Sequence, residues 1–260
     1  MSITLSKFRS DPYCCHRLQW QTRAVDDEAD RPESADEDWQ CLIISGGGRY
    51  ADAWHPFAET TEAVAGIARG LGHDVVVRDD PDEALAELGR TPLEQLPDLL
   101  IFNVGAPTDG EPSPGTHHAV HGLEHLLASD RPILALHAST SAFDEIPAWE
   151  RSLGGRWVEG LSMHPEFGPA SVRITELDHP VVSGFADFTV EDERYSFLRM
   201  AHSSEVLIDH DLDDESHPLV WVSAGRRART IVDVLGHDSR SYESPERRKL
   251  IEAELTWLLA

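Results

Sequence analysis

From residue 41 onward, short apolar runs alternate with longer stretches in which apolar positions recur every three or four residues, the pattern of strands and helices in turn. Residues 41–45 read as a strand, 57–71 as a helix, 73–78 as a strand and 81–88 as a helix. Residues 98–103 and 132–136 are nearly continuous apolar runs, as in strands covered on both faces. Helices are expected over 115–129 between them and over 139–153 after them. This rhythm implies a mostly parallel sheet wrapped by helices, a flavodoxin-like α/β domain. Beyond Gly155 the pieces become shorter and strand-like, at 171–175, 188–190, 205–208, 219–223 and 229–234. A closing helix is expected over 245–259, with Pro245 suited to its first turn.

Residues 1–38 carry no such period and end in an acid-rich run, so they read as a disordered acidic arm preceding a single domain over 39–260. The whole chain is acidic, with 47 Asp and Glu against 22 Lys and Arg and a net charge of −25. Such a surface repels phosphate backbones, which argues against a nucleic-acid partner. No apolar run approaches the roughly 20 residues that span a bilayer, which argues against a membrane partner. Three cysteines, two of them adjacent (Cys14 and Cys15), give no disulfide framework and fit a reducing, cytoplasmic setting. A homo-oligomer is compatible with all of this.

The strand at 132–136 runs directly into His137-Ala138-Ser139-Thr140. In doubly wound folds the turn after such a strand opens onto the ligand crevice, and here it carries a histidine where a nucleophile commonly stands. Neither G-x-C-x-G nor G-x-S-x-G surrounds it, and no cysteine lies nearby. Ser139 is expected to cap the following helix. His117, His121 and His125 fall on one side of a helix whose buried face is set by Val120, Leu123 and Leu127, so they read as a solvent-facing stripe. Gly46-Gly47-Gly48 departs from G-x-G-x-x-G and reads as a tight turn or a point of close approach.

His137 after its apolar strand, His179-Pro180-Val181-Val182, Asp192-Glu193-Arg194-Tyr195 and Leu235-Gly236-His237 before Tyr242 together resemble the ThuA-like (trehalose-utilisation-like) family over residues 41–259. That resemblance implies a class I glutamine amidotransferase-like three-layer sandwich and a role in carbohydrate metabolism. An amidotransferase of this fold would need a cysteine at the elbow and a histidine base. His237 suits the second position, while the first is His137, so glutaminase activity is not expected. His164-Pro165-Glu166 imitates an amidotransferase triplet but follows the elbow too closely, and is set aside as a loop.

The expected site therefore comprises His137, His237 and Glu193 as acid/base groups, with His55, Tyr50, Trp54 and Tyr195 contacting a sugar-like ligand. Glu193 is chosen over Asp192 because neighbours on a strand point to opposite faces. His55, His137 and His237 also make a candidate ligand set for a divalent metal such as zinc. The alternative for these imidazoles is hydrogen bonding to sugar hydroxyls or to one another. The resemblance leaves two functional classes: a hydrolase or lyase acting on sugars, and a non-catalytic sugar-binding or scaffold protein on a degenerate amidotransferase-like fold.

Overall fold

The chain alternates strand and helix through its first half because each buried strand needs apolar cover on both faces. The computed structural model describes residues 39–260, and the expected acidic arm, residues 1–38, lies outside them. β1 (Gln40–Ser45), α1 (Phe57–Gly70), β2 (Asp74–Arg78), α2 (Pro81–Leu88), β3 (Leu99–Asn103), α3 (His117–Leu127) and β4 (Ile133–Leu136) follow the expected order closely. Then come α4 (Pro147–Leu153), β5 (Gly155–Arg156), β6 (Gly168–Ile174), β7 (Phe188–Asp192), β8 (Arg199–Met200), β9 (Glu205–Leu212), β10 (Glu215–Val222), β11 (Thr230–Asp233) and α5 (Pro245–Leu259).

The main sheet has the order β2-β1-β3-β4-β11-β10-β9-β6-β7. Pairing is parallel from β2 to β11, and this half has the flavodoxin-like 2-1-3-4-5 order. Antiparallel pairing continues it from β11 through β10, β9 and β6 to β7. Right-handed crossovers that run outward from β1 in opposite directions place α1 on one face and α2 and α3 on the other. α5 packs beside α1 and α2 beside α3, which completes the two outer layers. Every residue of β3, β4 and β11 is buried.

Two differences from the sequence expectation shape the site. The helix expected over 139–153 is broken: a 3-10 turn, His137–Thr140, comes first, Phe143 adopts φ 50°, and α4 begins only at Pro147. Proline fits a first helical turn and disfavours helix before it. The second half also holds a longer hairpin than expected, in which Asp213 and Asp214, at φ 54° and 64°, form the two-residue turn between β9 and β10. Among the described residues no helix is long and apolar enough to cross a membrane.

Candidate functional site

β4 and β11 run parallel with Leu136 opposite Asp233, so the chain leaves both strands side by side. His137, the next residue after β4, sits at φ 41°, a left-handed conformation that costs a side-chain-bearing residue about 1–3 kcal/mol. Its Nδ1–H donates to the carbonyl of Val234 at 2.8 Å. A carbonyl only accepts, so the proton is on Nδ1 and Nε2 presents a lone pair. The Tyr195 hydroxyl donates to that lone pair at 3.0 Å. After β11, Gly236 turns the chain at φ 103°, where a side chain would also strike the Tyr242 hydroxyl, and His237 follows.

β7 delivers two carboxylates that diverge as strand geometry requires. Buried Asp192 accepts the backbone N–H of Gly236 at 2.7 Å and of His237 at 3.1 Å, and also the Ser241 hydroxyl. Glu193 turns the other way and places Oε2 3.2 Å from His237 Nδ1 and 3.6 Å from His137 Nε2. Burial pushes the Glu193 pKa up, but the facing His137 and His237 imidazoles outweigh it and hold the carboxyl well below the usual range. Burial opposes charge on His237 too, yet the Glu193 carboxylate raises its pKa.

His55 enters from the loop between β1 and α1. Asp52 holds it there, accepting its Nδ1–H at 2.7 Å and the backbone N–H groups of Trp54 and His55 at 2.7 Å each. Burial, then the nearby His137, lowers the His55 pKa. Its ring centroid lies 5.3 Å from that of His137 and 5.1 Å from that of His237. One ligand atom from each of His55, His137, Glu193 and His237 falls within 4.8 Å of the others. The structure thus brings together the four side chains expected at strand ends.

A crevice of about 750 Å³ opens over this cluster, lined by Trp54, His55, Trp157, His164, Glu193, Tyr195 and His237 among others. Trp54 is 73% exposed at its rim. Tyr195 is buried between the rings of His137 and Trp157, with centroids 4.5 and 4.6 Å away. His137 itself is not on the wall: it is 2% exposed and reaches the crevice only through its neighbours. Tyr50 is elsewhere. Its ring is buried, and its hydroxyl donates to Asp82 at 2.9 Å and accepts from Ser113 at 3.1 Å, because the turn Gly48–Tyr50 folds inward.

Sequence reasoning set aside two residues that line the crevice. His164 stands with Nδ1 3.5 Å from Glu193 Oε1, and Trp157 forms an aromatic wall that a tryptophan beside a regular element would more often bury in the core. The signal available for His164 was a His-Pro step between two aromatic residues, Trp157 and Phe167, in a loop. Ser139 is no helix cap: its buried hydroxyl donates to the Phe102 carbonyl at 2.9 Å and accepts Val104 N–H at 3.3 Å. His117 and His121 are exposed, and half-buried His125 bonds the Thr91 carbonyl with Nε2 at 3.0 Å. Gly47 serves packing, since a Cβ there would meet the Asp79 carbonyl.

The sequence profile described as "ThuA: Trehalose utilisation" matches residues 41–258. The chain belongs to the ThuA family. Its fold is shared by a ThuA-like protein from Parabacteroides merdae, with TM-score 0.68 at 16% identity over 86% of this chain and 91% of that one. A ThuA-like protein from Bacteroides uniformis gives TM-score 0.66 at 18% identity over 90% and 95%. A glutamine amidotransferase from Thermotoga maritima gives TM-score 0.55 at 11% identity over 85% and 98%. The ThuA family chain therefore has a glutamine amidotransferase-like architecture. No curated protein matches it.

Proposed function

We propose that the chain takes a sugar-like ligand in the crevice and acts on one of its oxygens through Glu193, His237 and His137, without a covalent intermediate, in carbohydrate metabolism. The reading rests on one arrangement: a polar floor of Glu193 and His237 lying between aromatic walls in a crevice of about 750 Å³. Trp54 and Trp157 offer flat apolar faces for a sugar ring, while Glu193, His164 and His237 suit its hydroxyls. His137, behind the floor, supplies the lone pair that orders Tyr195 and faces His237 Nδ1 at 3.3 Å. Membership of a family described by trehalose utilisation supports the ligand class.

Glutamine hydrolysis is not part of this reading. The elbow residue is His137, and Cys41, the free cysteine among the described residues, is buried in β1 with its thiol pushed up to about 12 by burial and by Asp98 and Asp74. The test is a thermal-shift screen with sugars and keto-sugars, followed by product chromatography. A sugar is expected to stabilise the wild-type protein and not the Glu193→Gln or His237→Ala variant. Binding without turnover would identify a sugar-binding protein rather than an enzyme. If no sugar stabilises the protein, or if glutamine is hydrolysed, the reading is wrong.

A further inference from the structure

We infer that His55, His137, Glu193 and His237 form a divalent-cation site of the zinc class at the floor of the crevice. Three of the four donor atoms already stand at the spacing such an ion imposes. For metal–ligand distances of about 2.0–2.2 Å, neighbouring ligand atoms of a tetrahedron are about 3.3–3.6 Å apart. Here His237 Nδ1 lies 3.2 Å from Glu193 Oε2 and 3.3 Å from His137 Nε2, and the last two are 3.6 Å apart. The His55 donor is the fourth, within 4.8 Å of the rest.

The other side of two of these rings is built as ligating histidines require. Such a ring usually gives its remaining N–H to a carboxylate or a backbone carbonyl, which fixes its tautomer and aims the free nitrogen at the ion. Asp52 takes the Nδ1–H of His55 and the Val234 carbonyl takes that of His137. The Tyr195 hydroxyl, donating to His137 Nε2, marks that nitrogen as the one carrying the lone pair. The cluster is also short of hydrogens. His137 Nε2 and Glu193 Oε2 are both acceptors facing His237 Nδ1, whose one proton cannot serve both; the Tyr195 hydroxyl meets the first, and a cation would take all these lone pairs at once. A set of three imidazoles and one carboxylate favours zinc and its transition-metal neighbours over magnesium or calcium, which prefer oxygen ligands.

The site lies within the proposed sugar crevice and rests on that reading only for its use. There the ion would polarise a ligand oxygen or a bound water. Cation binding can be measured with no sugar present.

The experiment takes the full chain, strips it with a chelator, titrates it with zinc or cobalt, and measures bound metal by mass spectrometry and cobalt by its visible absorption. One ion per chain with the strong absorption of tetrahedral cobalt is expected. His237→Ala and Glu193→Gln should lose it, with unfolding curves recorded to show that each variant is folded. Asp52→Asn, which changes the group that holds the His55 ring and its loop, should weaken binding about 10–100-fold. His121→Ala, on the exposed stripe of α3, should change nothing. Failure to take up a stoichiometric ion, or uptake that survives both His237→Ala and Glu193→Gln, would overturn the assignment. A sugar-induced stabilisation in chelated protein that takes up no ion would overturn the cation site and leave the proposed function standing. Uptake without any response to sugars would do the reverse.

Discussion

Asp192 accepts the backbone N–H of His237 at 3.1 Å across 45 positions of sequence. Through that bond the end of β7 fixes where the chain emerging from β11 places its imidazole, while Glu193, one residue on, meets the same imidazole at 3.2 Å. Replacing Asp192 with Asn keeps the shape but removes the charge from four hydrogen bonds, those of the Glu193, Gly236 and His237 N–H groups and the Ser241 hydroxyl. Such bonds contribute about 1.5–3 kcal/mol each, and partial retention by the amide leaves an expected loss of about 2–3 kcal/mol. Urea unfolding measures it. An unchanged unfolding free energy would show that this carboxylate holds nothing.

Ser139→Ala should behave as a core lesion. The Val104 N–H would lose its acceptor in a site with no access to water, at a cost of about 1–3 kcal/mol. Ligand-induced stabilisation should persist, because the hydroxyl faces β3 and not the crevice. A variant as stable as the wild type would show that the bonds to Phe102 and Val104 contribute nothing.

Glu254 on α5 gives the protein a pH dependence of defined sign. As an ion neither of its carboxylate oxygens would meet a donor among the described residues. Burial, then the charge of Asp233, pushes its pKa well above the usual range, so it keeps a proton in the folded chain. Between the unfolded value, about 4.3, and the higher folded one, the folded chain binds the extra proton, and stability falls as pH rises by up to about 1.4 kcal/mol per unit. Glu254→Gln has no proton to lose. Unfolding free energies between about pH 5 and 8 should therefore slope less in the variant than in the wild type, and parallel slopes would contradict this.

Trp54→Ala separates recognition from stability. The side chain is 73% exposed, so unfolding should shift by no more than about 0.5 kcal/mol. If a sugar ring packs on it, affinity should fall by about 0.5–1.5 kcal/mol, roughly two- to tenfold, in isothermal titration. An unaltered affinity would place the ligand away from the rim.

The parallel half of the fold is legible in the sequence because its strands are covered on both faces and so appear as unbroken apolar runs. β5 and β8, two residues each, are too short to carry a period. The break between His137 and α4 had a signal in Pro147, which a helix read on apolar spacing alone overrides. His55, His137, Glu193 and His237 could be named because each follows or adjoins a strand end, His55 in the loop after β1, and strand ends converge in this architecture. Tyr50 could not be placed from the sequence. An aromatic residue in a loop reads the same whether its turn folds outward or, as here, drops the hydroxyl onto Asp82 at the first turn of α2. His164 was lost for the opposite reason, since its loop carries no periodic pattern and only the path of the chain brings it to Glu193.

The Asp192 bonds to Gly236 and His237 bear on how the protein comes into being. They tie the far edge of the antiparallel strands to the last turn before α5, and the four converging side chains arrive from four separate stretches of chain. During synthesis His55 and His137 leave the ribosome well before their partners, and no local segment can assemble the cluster on its own. The four-residue cluster should therefore appear late and all at once, when the final strand is threaded between β4 and β10. A chain halted before that strand would lack the cluster, however much of its parallel sheet had formed.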